Sequence, residues 1–157
     1  MSKVKTNAIR ILDKHKISYE LRTYEAGEAI DGVSVANKIG RDPEEVFKTL
    51  VTRGNSKEIY VFVIPVAKEL DLKKAAKSAG EKSLQMIHVK DITKYTGYIR
   101  GGCSPVGMKK LYKTFIQEEA KELENICVSG GKKGLQVKLE PMDLIKIING
   151  SFADVIH

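Results

Sequence analysis

The sequence contains few of the residues that usually build metal sites, and it lacks a membrane-spanning run. Two cysteines and three histidines occur in 157 residues, without the CxxC, HExxH or Cys/His clusters typical of bound metals. The longest apolar run, residues 60–67, has the length of a strand and contains Pro65, whereas a membrane helix needs ~20 apolar residues. The N-terminus also lacks the apolar core of a signal peptide. We therefore expect a cytoplasmic protein with no metal, cofactor or membrane partner.

Length and composition favour one domain that spans residues 1–157. A hydrophobic content of 42% and a charged content of 30% are ordinary for a globular protein, and the chain is long enough to bury one substantial core. The net charge of +7 favours a polyanionic partner where the cations cluster. Clusters occur at residues 73–77, 109–113 and 132–138. They fit either an RNA partner or a solvated face that keeps the protein soluble.

Helix-like and strand-like patterns alternate along the chain. Apolar spacing predicts helices over residues 7–16, 35–39, 72–79 and 141–148, with Thr6, Ser34 and Asp71 as N-caps and Leu72 facing the core. Shorter helical turns are predicted at 42–45 and 91–97, and we expect residues 115–123 to begin near a turn and become helical. Strands are predicted over residues 18–24, 46–53, 58–66, 83–89, 126–129, 135–139 and 152–156. Because strands 46–53 and 58–66 form a hairpin among α/β alternations, we expect an α/β domain with a mixed sheet.

Two glycine-rich loops are the strongest functional signals. They are Gly101-Gly102-Cys103-Ser104-Pro105-Val106-Gly107 and Ser129-Gly130-Gly131-Lys132-Lys133-Gly134. Glycines let the backbone approach a ligand closely and present bare N–H groups, although neither loop has the spacing of a nucleotide-binding motif. The second loop alone is typical of a tight turn between strands. The first contains more special residues than a hairpin turn needs, which favours a loop that binds a carbonyl or an oxyanion.

One lysine and one cysteine accompany these loops. Lys48 lies within an otherwise apolar strand, residues 47–51, so its ammonium must reach the surface or meet an anion. Together with the loops, it predicts a pocket for an acyl or phosphate-bearing ligand. Cys103 is a weak candidate nucleophile because no base is near it in sequence, and only the fold can bring His88 to it. A disulfide between Cys103 and Cys127 is not expected in a reducing compartment.

The chain resembles the YbaK/EbsC family of free-standing aminoacyl-tRNA deacylases, relatives of the editing domain inserted into bacterial prolyl-tRNA synthetase. The resemblance implies a compact single-domain α/β fold with a mixed, barrel-like sheet surrounded by helices. It extends from about residue 8 to residue 154 and rests on four motifs in the family's order. These are Val46-Phe47-Lys48-Thr49-Leu50; Pro65-Val66-Ala67 with Leu70-Asp71-Leu72-Lys73-Lys74; Thr96-Gly97-Tyr98 with Gly101-Gly102, Ser104-Pro105 and Gly107; and Val128-Ser129-Gly130-Gly131-Lys132 with Gly134-Leu135.

The resemblance also implies an activity, trans-editing hydrolysis of mischarged Cys-tRNA(Pro), with Cys-tRNA(Cys) as a further substrate. In the mechanism proposed for the family, the substrate's thiol attacks its own ester, so the protein needs no nucleophile. The implied partners are the acceptor end of tRNA(Pro) and prolyl-tRNA synthetase. Two alternatives stay open: a deacylase for another small residue, such as Ala-tRNA(Pro), that uses an activated water, and a non-catalytic module that binds tRNA or a synthetase. Intact Lys48 and an intact first loop argue against the non-catalytic module.

The same resemblance assigns roles to residues. Lys48 is implied as the catalytic residue that anchors the 3′-terminal nucleotide. One difference concerns Gln136, which stands where members of the best-studied type commonly have an Asp. The other implied substrate-binding residues are Tyr24, Thr49, the first-loop residues Gly101, Gly102, Cys103, Ser104 and Pro105, and the second-loop residues Ser129, Gly130 and Gly131.

Overall fold

The structure is a computed structural model that describes residues 5–25 and 32–157. Within these ranges the chain forms helices and strands that alternate as the sequence predicts. The helices are α1 (Asn7–Lys14), α2 (Gly32–Lys38), α3 (Leu72–Ala79), α4 (Ile92–Thr96) and α5 (Pro141–Ile148). The strands are β1 (Tyr19–Thr23), β2 (Phe47–Gly54), β3 (Ile59–Pro65), β4 (Leu84–Met86), β5 (Lys113–Gln117), β6 (Ile126–Ser129), β7 (Leu135–Leu139) and β8 (Ser151–Ala153).

The strands form two sheets. The larger has the order β4-β2-β3-β5-β8, and the smaller has the order β1-β7-β6. The larger sheet is mixed, because β2 pairs antiparallel with β3 and β4 while β5 pairs parallel with β3 and β8. A single parallel bridge between Val46 and Cys127 joins the two sheets. The expected mixed sheet and β2–β3 hairpin are confirmed, but in the described part of the chain the sheets do not close into one barrel.

Strand β3 lies at the centre of the fold and is buried on both faces. Alternation places Val63 in one core cluster, with α1, α5, β6 and β7, and Phe62 and Ile64 in a second cluster, with the alanines of α3. The Phe62 ring stacks on Phe115 with centroids 5.5 Å apart. None of the helices formed by the described residues is long and apolar enough to cross a bilayer.

The predicted caps of α1 and α3 are confirmed. Thr6 Oγ1 accepts the Ile9 N–H at 3.2 Å, and Asp71 accepts the N–H groups of Lys73 and Lys74 at 3.0 and 3.1 Å. Gly80 ends α3 in the left-handed conformation with φ +73°. The Thr6 hydroxyl also donates to the Gly130 carbonyl, so the cap of the first helix contacts the second glycine-rich loop.

Three local predictions are wrong. Ser34 does not cap α2, because that helix already begins at Gly32, where a Cβ would lie only 2.5 Å from Val66 Cβ. Residues 113–117 form strand β5 instead of the start of a helix, since pairing with β3 and β8 on both sides overrides the local pattern. Leu72 begins α3 in its first turn and stays 38% exposed, so Ala75, Ala76 and Ala79 form the buried face.

Candidate active site

The middle of strand β2 is open on one edge. Residues Lys48, Thr49 and Leu50 are each partly exposed, although they lie between buried Phe47 and Val51. Strand β3 covers one edge of β2 along residues 47–53. On the other edge, the described residues bond to β2 through β4 at residues 52–54, through the Ile87 N–H on the Val51 carbonyl at 3.2 Å and through the bridge at Val46, and none of these bonds involves residues 48–50. The strand therefore presents side chains and one edge of its backbone to a shared opening.

Lys48 is half-buried in this opening, and among the described residues no carboxylate forms an ion pair with it. Alternation along β2 places its side chain on the face of Val46 and Leu50, opposite Phe47 and Thr49. In the described part of the chain, no hydrogen bond or ion pair engages Nζ. Burial lowers the pKa of Lys48, and the charge of Glu69 opposes that shift in part. A partly dehydrated ammonium with no partner is suited to bind a phosphate or a polar oxygen of a ligand.

Strand register aligns Lys48 with polar residues of the smaller sheet. The Val46–Cys127 bridge is parallel, so Lys48 and Ser129, each two residues further along, share one face of neighbouring strands. Ser129 pairs with Gln136 across β6 and β7, and Gln136 pairs with Arg22 across β7 and β1. We call this row of four residues the polar row. It places two cations and two neutral hydrogen-bonding groups along one surface.

Two oxygens of the site are buried without partners. Gln136 is 7% exposed, and neither its Oε1 nor Thr49 Oγ1 has a hydrogen-bond partner among the described residues. An unsatisfied buried acceptor costs about 1–3 kcal/mol, so such atoms are uncommon in a folded protein. Gln136 Oε1, in the polar row, and Thr49 Oγ1, on the opposite face of β2, therefore offer hydrogen-bonding capacity that no described residue uses.

The two glycine-rich loops pack on each other. A Cβ at Gly102 would lie 2.7 Å from Lys132 Cα, which only glycine avoids. The second loop is the β6–β7 turn that its sequence predicts, closed by the Gly130 N–H on the Leu135 carbonyl at 2.9 Å, and its Gly131 N–H donates to Ser129 Oγ at 3.2 Å. Much of the glycine content thus serves contact between the loops.

The first loop is braced from within. The Tyr98 hydroxyl donates to the Val106 carbonyl at 2.6 Å, and buried Ser104 accepts the Val106 N–H at 3.2 Å. The Gly102 N–H donates to the Ile99 carbonyl at 3.0 Å. Among the described contacts, no hydrogen bond uses the N–H of Gly101, Cys103 or Ser104. The N–H of Gly107 is likewise unused in the described contacts, so four amides of this loop remain as donors for a ligand.

Cys103 is poorly suited to act as a nucleophile. Burial raises the pKa of its thiol to about 11, and a hydrogen bond with Thr96 offsets only part of that rise. The thiol is therefore protonated at neutral pH, and the thiolate is the reactive form. No contact among the described residues joins Cys103 to His88, which is exposed. Buried Cys127 has a raised pKa for the same reason.

The remaining predicted site residue, Tyr24, lies beside the second loop. Its N–H donates to the Gly134 carbonyl at 3.0 Å, and its side chain is half-buried. The structure therefore gathers Tyr24, the second loop and the first loop at one end of the smaller sheet. Lys48 follows by two residues the bridge that joins Val46 to strand β6 of that sheet. No group of three or more His, Cys, Asp or Glu residues suited to a metal ion occurs in the described ranges.

Two basic residues near this row are absent from the sequence-based site. Arg22 joins it only through cross-strand pairing with Gln136. Arg41 contributes charge near Cys127, its Nε is buried without a partner in the described chain, and its Nη2 pairs with Glu45 at 3.0 Å. Arg22 is half-buried, whereas its neighbours Leu21 and Thr23 are exposed. The neighbours of Arg22 across the sheet depend on register, which the sequence does not reveal.

Comparison with known proteins identifies the protein family to which this chain belongs. Residues 28–147 match the aminoacyl-tRNA editing domain, and the chain belongs to that family. A particular relative is EbsC of Enterococcus faecalis, a candidate Cys-tRNA(Pro)/Cys-tRNA(Cys) deacylase. It is 46% identical over 152 residues, which cover 96% of this chain and 93% of that protein.

Two solved structures share the fold. One is a candidate trans-editing enzyme for prolyl-tRNA synthetase, with a TM-score of 0.84, 21% identity and 99% of both chains covered. The other is the hypothetical protein APE2540, with a TM-score of 0.87 and 20% identity, covering 96% of this chain and 99% of that one. At these identities the likeness establishes the fold alone.

Proposed function

We propose that this protein hydrolyses the aminoacyl ester of Cys-tRNA(Pro), with Cys-tRNA(Cys) as a further substrate. One observation carries the proposal: Lys48 is a half-buried cation that no described carboxylate pairs with, and it follows by two residues the bridge to β6, the strand that ends in Ser129 and the second glycine-rich loop. Family membership and 46% identity to the Enterococcus faecalis protein support the same reaction class. The reaction belongs in the cytoplasm, where tRNAs are charged.

The proposed chemistry uses the substrate's own thiol. An aminoacyl ester is already activated, so positioning and stabilisation of the developing oxyanion can suffice. The cysteine sulfur attacks the ester carbonyl, a C–S bond forms, the C–O bond to the ribose breaks, and the ribose oxygen takes the proton. Water then opens the resulting cyclic thioester to free cysteine. In this proposal the free amides of Gly101, Cys103 and Ser104 hold the ester, and Lys48 holds the terminal nucleotide.

This mechanism predicts that the rate of deacylation differs between substrates with and without a thiol. A few per cent of a thiol with a pKa of ~8.5 is already ionised at neutral pH, whereas a hydroxyl is not. Cys-tRNA(Pro) should therefore be deacylated far faster than Ser-, Ala- or Pro-tRNA(Pro), as measured by loss of labelled amino acid. Equal rates for Cys- and Ala-tRNA(Pro) would contradict the mechanism. So would abolished activity in a folded Cys103→Ser enzyme, because Cys103 would then be the nucleophile.

A second candidate function has one observation in its favour. Gln136 Oε1, which has no hydrogen-bond partner among the described residues, is an acceptor of the kind that orients a water molecule. An activated water would cleave a substrate without a thiol, such as Ala-tRNA(Pro). The same panel decides between the two functions, since this one predicts that Ala-tRNA(Pro) is cleaved and that the thiol gives no advantage.

The proposal includes prolyl-tRNA synthetase as a protein partner. A trans-editing enzyme benefits from meeting the mischarged tRNA before it leaves the synthetase. We expect a ternary complex of synthetase, tRNA(Pro) and this protein in analytical ultracentrifugation. Independent sedimentation of this protein at all concentrations would limit the proposal to free aminoacyl-tRNA.

A further inference from the structure

Three lysines lie directly on the glycine-rich loops. A Cβ at Gly101 would lie 3.2 Å from Lys133 Cε, and one at Gly97 would lie 3.4 Å from Lys109 Cγ. Lys132 contacts Gly102 through its backbone. The side chains of Lys109, Lys132 and Lys133 are all exposed. We call these three residues the loop cations; they surround the segment from Gly97 to Gly102.

The chain around the loop cations carries almost no compensating negative charge. Residues 92–117 and residues 125–139 contain no Asp or Glu. Among the described residues, none of the loop cations forms an ion pair. The first of these stretches also presents Lys94, Arg100, Lys110 and Lys113, all exposed. The sequence around the first loop is therefore strongly positive, and three of its exposed lysines contact the segment from Gly97 to Gly102.

The other lysine cluster differs from the loop cations. On α3, Lys74 pairs with Asp154 at 3.0 Å and donates to the Ile156 carbonyl at 2.9 Å. Its neighbours Lys73 and Lys77 are exposed and follow Asp71 on the same helix. Part of this cluster's charge is therefore used within the fold, on an element outside the two glycine-rich loops.

We propose that the loop cations form the contact surface for the phosphates of the tRNA acceptor end, and that the α3 lysines do not. The inference rests on the proposed function, because it assumes that the aminoacyl ester lies at the first loop. Phosphate contacts supply most of the affinity of a basic protein for a nucleic acid but carry no sequence information. An ammonium binds phosphate as a point charge. The surface should therefore hold tRNA(Pro) and tRNA(Cys) about equally.

The experiment compares two triple variants that remove the same charge. The loop variant is Lys109→Gln/Lys132→Gln/Lys133→Gln. The control variant is Lys73→Gln/Lys77→Gln/Lys82→Gln, in which Lys82, exposed and three residues beyond the end of α3, takes the place of Lys74. Each variant changes the formal net charge from +7 to +4, since three of the 27 Lys and Arg residues are lost. Lys74 is kept in the control because it binds the C-terminal segment. Affinity for deacylated tRNA is measured by fluorescence anisotropy between 50 and 300 mM salt, alongside hydrolysis of Cys-tRNA(Pro).

The loop variant should bind tRNA about tenfold more weakly or worse, and its salt slope should fall by about one for each lysine removed. Its KM should rise while kcat changes little. The control variant should match the wild type in both measurements. A third variant, Lys109→Arg/Lys132→Arg/Lys133→Arg, keeps the charge and should restore binding, which separates loss of charge from a folding defect.

Two results would overturn the inference: an unchanged affinity and salt slope in the loop variant, or an equal loss in the control variant. Failure of the proposed function is distinguishable from both. In that case the wild-type protein would not hydrolyse Cys-tRNA(Pro) at all, whatever its affinity for tRNA.

Discussion

Two lysines at the larger sheet, Lys74 and Lys48, have opposite surroundings: the ammonium of one has partners within the fold, and the ammonium of the other has none among the described residues. Lys74 contacts Asp154 and a backbone carbonyl, and the Asp154 hydrogen bond raises its pKa. Lys48 has no such partner among the described residues, and burial lowers its pKa. Asp154 also accepts from Gln117, whose own oxygen accepts the Val155 N–H. A satisfied polar network of this kind stabilises a fold, whereas an unsatisfied polar group indicates where a ligand is expected.

The largest effect should come from Lys48→Ala. Loss of a charge-assisted hydrogen bond worth ~1.5–3 kcal/mol should lower deacylation of Cys-tRNA(Pro) at least tenfold. The circular dichroism spectrum should stay native. Lys48→Met keeps the aliphatic stem and should be equally inactive, because the ammonium is the missing group. A fully active Lys48→Ala enzyme would remove the proposed role of Lys48 and the comparison with Lys74.

A smaller effect is expected from Gln136→Leu, and it has two components. Deacylation should fall several-fold, because the polar row loses its buried acceptor. The free energy of unfolding should stay level or rise by about 1 kcal/mol, since an unpartnered acceptor is removed. Chemical denaturation and single-turnover hydrolysis measure the two quantities. A variant that loses stability while keeping its activity would show that Gln136 is structural. Gln136→Asp is the control that restores an acceptor with charge.

The smallest effect should be that of Lys74→Met. Activity should be unchanged, and stability should fall slightly, because the ion pair is exposed and such pairs contribute little. The pH dependence sharpens the contrast with Lys48. A raised pKa makes the contribution of Lys74 fully present below 10.5 and lost as the pH rises through the native value. Because the pKa of Lys48 is lowered, its contribution to the free energy of unfolding has the opposite sign. The charged ammonium destabilises the folded protein below the native pKa, and this cost disappears as the pH approaches 10.5.

Local signals in the sequence predict much of the fold. The caps at Thr6 and Asp71 and the β2–β3 hairpin depend on residues within a few positions of each other, so they could be found. Strand β5 could not, because pairing with two distant strands decides its conformation. The prediction that Ser34 caps α2 fails for a related reason. The helix begins two residues earlier, at Gly32, which packs closely against Val66, a residue far along the chain.

The features of the candidate site also fall into two groups, those that the sequence reveals and those that depend on tertiary structure. Residue types and resemblance select Lys48, the loops and Gln136 from the sequence. The packing of Gly102 on Lys132, the unused oxygen of Gln136 and the pairing of Arg22 with Gln136 are tertiary facts. The sequence alone left two interpretations of the three lysine clusters open, an RNA contact and a solvated face. The ion pair of Lys74 separates the α3 cluster from the loop cations.

The bond from Thr6 to the Gly130 carbonyl spans 124 residues of chain. A ribosome adds roughly 5–20 residues per second, so many seconds separate synthesis of the first helix from synthesis of the loop that it contacts. During that interval a nascent chain has Lys48 but not the second glycine-rich loop. A truncated chain that ends before Gly130 therefore lacks part of the site that we propose.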